Sequence, residues 1–368
     1  MKRMVDDNVG IVVVTSFLTL VAAAAVRARS MKTRTIKGSD EDYRTIHLDK
    51  DKHYDGVAEL ASYTYGGHDW ILNEYESWFS QGSSRSCIVL GMECVRTGAL
   101  AGLFVLRPIP GDRVGCLEAL RVHPDHRGRG LAHRLQREMI AEARRRKQSG
   151  ELAVDKLRYS VYDENAASVR VAEGSGMKVA YSYPYLMVAE DEHNPENEFL
   201  GRIGPNAIQI LLDDCLHAIQ SFDKKQTLPP LNTLSSPEEV FSRLKAMGVE
   251  VLYQDWKPYA TSVDNLGLLT EAKNHTALSS KDGLSLGTIR PDNRGKICIV
   301  THYSTHSDPA MDVLRHFIHW LQICKREQGG EVTSFYCSYP EAAHLALKRL
   351  GIVRKEKAQL EYILDLDI

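Results

Sequence analysis

The stretch from Leu117 to Ala132, Leu-Glu-Ala-Leu-Arg-Val-His-Pro-Asp-His-Arg-Gly-Arg-Gly-Leu-Ala, constrains the fold more than any other part of the chain. Its apolar run ending at a proline reads as a strand and its glycine pair as a tight loop. Leu131, Leu135, Met139 and Ala143 then recur at helical spacing, giving one apolar stripe. Strand, loop and helix in that order gather the loop's N–H groups and the helix's first unpaired N–H groups at the positive end of the helix dipole. Such a place binds phosphate. Gly128 and Gly130 suit it, because they have no Cβ to obstruct an anion or to resist a positive φ.

The 368 residues are enough for two domains, and 43% hydrophobic with 26% charged residues is a globular mix. A net charge of −2 gives no basic field, so nucleic acid is not an expected partner. Arg144-Arg145-Arg146-Lys147 closes the long helix, where cations complement the dipole. The seven cysteines, without Cys-x-x-Cys spacing, read as scattered thiols in a reducing compartment. Val9 to Val26 is an apolar run at the lower limit for spanning a bilayer, with basic residues on both sides. If retained, it is a single-pass anchor with the body facing the cytosol. Cleavage near Ala22 to Ala25, alongside the sequon at Asn274, would instead indicate export, and initiation at Met31 would leave a cytoplasmic protein.

The pattern divides the chain into an apolar segment with its basic flank (1–39), a first domain (40–200), a helix and linker through Gln226-Thr227-Leu228-Pro229-Pro230 (201–235), and a second domain (236–368). The first domain reads as a strand near Thr45, a helix from Tyr54, strands at 88–94, 99–107 and 115–123, the long helix, a strand at 156–162, a helix after Asp163, and a strand pair over 177–188. This is a mixed α/β order. The second domain repeats it. Ser334 to His344 followed by Leu350-Gly351-Ile352 echoes Arg158 to Ser168 followed by Ser175-Gly176-Met177, as expected of a duplication. The second copy lacks the glycine loop, having Tyr303-Ser304-Thr305-His306-Ser307-Asp308 there instead. Core packing explains the aromatics Trp70, Tyr75 and Trp78 as well as a substrate wall does. His302, His306, His316 and His319 lie close in sequence, but with no third close ligand apparent they read as core histidines, and no metal is expected.

Arg127-Gly128-Arg129-Gly130-Leu131-Ala132, after a strand ending Val-x-Pro and before Asn165-x-x-Ser168, resembles the Arg/Gln-x-x-Gly-x-Gly/Ala signature of the GNAT superfamily of acetyl-CoA-dependent N-acetyltransferases. A closer resemblance within that superfamily is to the vertebrate histidine N-acetyltransferase type. The likeness rests on Tyr65-Gly66-Gly67-x-Asp69, Glu118-x-Leu120-Arg121-Val122-x-Pro124, Gln254-Asp255-Trp256-x-Pro258-Tyr259 and Asn265-Leu266-x-Leu268-Leu269, and on the Tyr362 to Ile368 ending. Tyr162 to Gly176 departs from that type. The resemblance implies a GNAT fold in tandem with a degenerate GNAT-like domain, and acetyl-CoA as cosubstrate. It places Leu120, Arg121, Val122, Arg127, Gly128, Arg129, Gly130, Leu131, Ala132, Asn165 and Ser168 at the cofactor. Tyr65, Gly66, Asp69, Trp256 and Tyr259 would line the acceptor.

An amine acceptor reaches the site largely as an ammonium and must lose a proton before it attacks a thioester. Glu118, in the position where many GNAT enzymes keep a catalytic glutamate, is the expected base. A tyrosine on the next helix usually protonates the leaving thiolate, but that slot holds Ala172. Tyr162 is the substitute chosen, with Tyr159, Tyr181, Tyr183, Tyr185 or water as alternatives. Asn165 reads equally as a helix cap. The expected reaction is direct acetylation of a small-molecule amine, such as the α-amine of histidine. A peptide or protein amine, or a CoA-binding sensor without turnover, are the other readings.

Overall fold

The computed structural model describes residues 42–368 except 68, 81–86, 110–111, 190–201, 204–205, 223–230, 235, 255–256, 272–274, 293–294, 306–308, 327–331, 351 and 353–358. The 9–26 run, Met31, residues 226–230, Asn274, Trp256 and His306 therefore lie outside the described residues. Among the described residues no helix is long and apolar enough to cross a membrane.

The first half runs β1 (Tyr43–His47), α1 (Tyr54–Ser62), α2 (Ile71–Phe79), β2 (Ile88–Cys94), β3 (Leu100–Pro108), β4 (Val114–Val122), α3 (Leu131–Gln148), β5 (Lys156–Tyr162), α4 (Ala166–Gly174) and β6 (Lys178–Ala189). A short β7 (Arg202–Ile203) and α5 (Ala207–Phe222) follow. The second half is β8 (Asn232–Leu234), α6 (Pro237–Ala246), β9 (Val251–Gln254), β10 (Lys257–Ala260), α7 (Val263–Glu271), β11 (His275–Ser279), β12 (Gly283–Asp292) and β13 (Gly295–Ser304). It ends with α8 (Ala310–Arg326), β14 (Val332–Ser338), α9 (His344–Arg349) and β15 (Gln359–Asp367).

Local chemistry sets many of these boundaries. Asn165 caps α4 by accepting from the Ser168 N–H at 3.1 Å, and Ser236 caps α6 in the same way with Pro237 in its first turn. Leu131, Leu135, Met139 and Ala143 of α3 are all buried, and Arg145, Arg146 and Lys147 fill its last turn. β2 is buried throughout because helices cover both faces of the sheet: α3 packs on one, α1 and α2 on the other.

Strand order in the main sheet is β1-β2-β3-β4-β5-β15-β6-β14-β13-β12-β11-β8, with β7 beside β6. The order is a palindrome. Each half contributes a matching series, and the two meet at β15 and β6, which have changed places: β15 of the second half pairs with β5, and β6 of the first pairs with β14. The expected strand pair over 177–188 is accordingly one strand, Lys178–Ala189, whose two long partners, β14 and β15, come from the far end of the chain. Buried Arg158 on β5 fastens the exchange with a two-pronged pair to Asp365 on β15, at 2.7 and 2.8 Å.

Because β15 fills the middle of the sheet, a chain stopped at residue 357 should lose cooperative unfolding of the first half as well as the second. Amide hydrogen exchange tests this, and protection persisting across Lys156–Tyr162 would contradict it.

Candidate active site

β4 and β5 are parallel and pair only from Val114↔Lys156 to Leu117↔Tyr159, although β4 continues to Val122. The strands part from Glu118 onward. A bulge against β3 makes the turn: Leu103 faces Arg121 and Val105 faces Glu118, so one residue on β3 spans two on β4. Ala119 takes a left-handed φ of 60° there, a strained conformation for a residue with a Cβ. The β5-facing edge of Glu118 to Val122 is left without a strand partner among the described residues.

Glu118 sits at the start of this parting, 8% exposed. Its Oε1 accepts from the Trp78 indole N–H at 3.1 Å and from Arg107 Nε at 2.9 Å. Arg107 also donates to Glu74 and Ser77 of α2, so the carboxylate is fixed from two sides. Burial works against the Arg107 charge, but Glu118 and the other acidic neighbours outweigh it and push its pKa above the ordinary value. Trp78 thus belongs to the core and to the site at once.

The Tyr65-Gly66-Gly67 turn takes three successive positive φ values, 50°, 62° and 88°. It is held down by Arg121 of β4, which makes a two-pronged pair with buried Asp69 at 2.7 and 2.9 Å and lies beneath the rings of Tyr65 and Trp70. The Asp69 carboxylate faces the protein at this pair, and Tyr65 stays half exposed.

At the far end of β4, Gly128 and Gly130 have φ of 73° and 77°, with open space where a Cβ would stand. Conformation therefore requires glycine at both, as an ungated loop mouth needs. Gly130 precedes α3 with no side-chain cap, and the first intrahelical bond runs from the Arg134 N–H to its carbonyl. The N–H groups at Leu131 and Ala132 are thus available to an anion. Arg127 and Arg129 are exposed and reach back to the carbonyls of Val122 and Asp125 at 3.2 and 3.4 Å, keeping their charge at the loop.

Two tyrosines of β5 lie beside the parting. Tyr162 shares the face of Glu118, and its ring packs on Tyr185. Tyr159, at the last paired position, is buried with its hydroxyl against the Ser168 side chain at the start of α4. Burial raises its pKa, while Ser168 and Arg121 pull it back. Ala172 is buried in the core.

From the second half, the β9–β10 hairpin covers this face: Tyr259 packs on Ile109, Val114 and Cys116, the last two residues before Glu118 on the same side of β4. Tyr183 donates to the Val251 carbonyl at 3.4 Å. Trp256 is outside the described residues.

Residues 54–177 match the acetyltransferase (GNAT) family. This segment is a GNAT domain. Histidine N-acetyltransferase of Xenopus tropicalis is 31% identical over 108 residues, 29% of this chain, so the match spans only 32% of that relative's length. The tandem GNAT protein from the clavulanic acid biosynthesis pathway shares the fold over 88% of this chain and 98% of its own, with 13% identity and a TM-score of 0.50. The GCN5-related N-acetyltransferase from Sphaerobacter thermophilus does so over 89% and 96%, with 9% identity and a TM-score of 0.50. The tandem GNAT fold is therefore common to nearly the whole chain.

The second half keeps the fold of the GNAT domain without the parting of its strands. Cys116↔Arg158 in one half corresponds to Ile297↔Ser334 in the other, which puts buried Ile299 in the place of Glu118. β12 and β13 pair without a bulge, and β13 stays paired with β14 through Thr301↔Ser338. With no parting of the strands, backbone groups there are spent in the ladder.

Two variants probe the GNAT domain. Gly130→Val forces a β-branched residue into left-handed backbone, at roughly 1–2 kcal/mol, and crowds the loop. It should weaken CoA binding tenfold or more by calorimetry while leaving the fold intact. Arg121→Met removes the two-pronged pair and strands a buried carboxylate, which costs about 3–5 kcal/mol when a partner is removed. A clear drop in melting temperature is expected.

Proposed function

We propose that the chain transfers acetyl from acetyl-CoA to the α-amine of a small molecule, an amino acid such as histidine, by direct attack within a ternary complex. The observation that carries this reading is Glu118, a buried carboxylate oriented by Trp78 and Arg107 at the point where β4 parts from β5. A phosphate-binding loop alone would serve a CoA sensor, whereas a fixed carboxylate beside the parted strands is what amine acetylation requires.

In this reading the CoA pyrophosphate lies at Gly128 to Ala132, with Arg127 and Arg129 adding charge, and the pantetheine runs along the unpaired edge of Leu120 to Val122 past Asn165 and Ser168. Backbone N–H groups of that edge stabilise the oxyanion formed as the amine attacks. Glu118 takes the ammonium proton directly or through one water. Tyr162, on the face of Glu118, or Tyr159, whose hydroxyl lies by Ser168, supplies the proton to the departing thiolate. The hairpin carrying Tyr259 closes over the face of β4, and Tyr65 stands on the other flank, which suits a small amine better than a polypeptide.

Full-length protein should release CoA thiol from acetyl-CoA when offered histidine within a panel of amino acids and peptides. Glu118→Gln should slow this at least ~100-fold, in the range of lost general-base catalysis, with CoA affinity unchanged. Silence across the whole panel would overturn the enzyme reading. Turnover with peptides alone would move the acceptor to that class.

A further inference from the structure

We propose that the second half carries a divalent metal site of the zinc class formed by His302, Asp312 and His316. His302 is on β13, and Asp312 and His316 lie one turn apart on α8, so two ligands share a helix face and the third comes from the strand beneath it. One ligand atom from each lies within 4.8 Å of the others. The residues are 3%, 7% and 0% exposed.

The separations are also those of ligands around a shared cation. His302 Nε2 is 3.2 Å from Asp312 Oδ2, and His316 Nε2 is 3.8 Å from Asp312 Oδ1. Zinc bonds of about 2.0–2.1 Å imply ligand-to-ligand edges of roughly 3.4 Å in a tetrahedron. His302 Nε2 and Asp312 Oδ2 are in ion-pair contact, yet both nitrogens of His302, His316 Nε2 and Asp312 Oδ2 are buried and make no well-aligned hydrogen bond. Polar atoms that converge without well-aligned hydrogen bonds carry an uncompensated desolvation cost, which a cation between them removes.

The surroundings are those of a supported ligand set. Ser285 Oγ lies 2.6 Å from His316 Nδ1 and accepts from the Trp320 indole N–H at 2.8 Å. With the His316 proton on Nδ1, donated to Ser285, its Nε2 lone pair faces Asp312 and His302. Ser280 Oγ donates to Asp312 Oδ1 at 2.6 Å. At Gly283 a Cβ would stand 1.8 Å from Asp312 Oδ2, so glycine is what leaves the carboxylate its place. Two imidazoles and one carboxylate favour zinc over calcium or magnesium, with a fourth position left to water. The spacing of His316 with His319 draws attention in the sequence, yet the ligands that meet are four residues apart the other way, Asp312 with His316.

The test is independent of acetyl transfer. Full-length protein stripped with chelator and titrated with Co²⁺ should take up one equivalent and develop the visible ligand-field absorption of four-coordinate cobalt, with no thiolate charge-transfer band. Zn²⁺ should displace it and raise the melting temperature in a concentration-dependent way. Asp312→Asn and His316→Gln should each lower the affinity at least tenfold, and His319→Gln should not. Absence of the cobalt spectrum in folded wild-type protein overturns the proposal, as does undiminished binding in both ligand variants. Should those variants fail to fold, the wild-type spectrum decides: a thiolate band places the metal at cysteine and overturns the assignment.

Discussion

Two parallel strands that stop pairing partway leave backbone groups that need another partner, and the geometry of this protein depends on where that happens. The bulge that seats Ala119 at positive φ bends β4 away from β5 after Leu117. The same bend sets Glu118 at the opening and carries the chain on to the glycine loop and the bare start of α3. In the proposed reaction, acid–base chemistry, oxyanion contacts and phosphate binding are thereby strung along one strand and its continuation. The strain at Ala119 is tolerated because Arg121, two residues on, is locked to Asp69, and Glu118, one before, is locked to Trp78 and Arg107.

The duplicated half is an internal control for this account. It has the same order of elements and the same parallel pair, yet no bulge between β12 and β13, a parallel ladder that runs three pairs further, and isoleucine where the carboxylate would be. Loss of the glycine loop is one of several coordinated differences, and the closed ladder alone removes the groove that a pantetheine arm needs. Freed from that role, the half serves the first through β15 and through the β9–β10 hairpin laid over β4. Its own buried His302, Asp312 and His316 lie in a different place, between α8 and the sheet, and belong to a different chemistry.

Much of the site could be read in the linear chain because its parts are local. Strand, loop and helix at 117–132, the stripe of α3 and the capping asparagine at 165 are set by neighbours in sequence, and all stand where periodicity and residue type put them. Asp69 was legible as a residue of the Tyr-Gly-Gly turn, but its pairing with Arg121 spans 52 positions and no local signal announces it. Tyr159 and Tyr162 differ only in parity along β5, and which one meets Ser168 depends on the face each takes in the folded sheet.

The sequence by itself determined most of the elements, the repeat of their order and the presence of the glycine loop in one copy only, because glycine conformations, helical periodicity and caps act over a few residues. The tertiary structure alone decided how the copies join. The exchange of β15 and β6, the clamp of Arg158 on Asp365, the cover that Tyr259 places over the face of Glu118 and the meeting of His302 with α8 are contacts between distant residues. They arise because both halves have to bury the edges and faces of one continuous sheet, and no single segment carries that requirement.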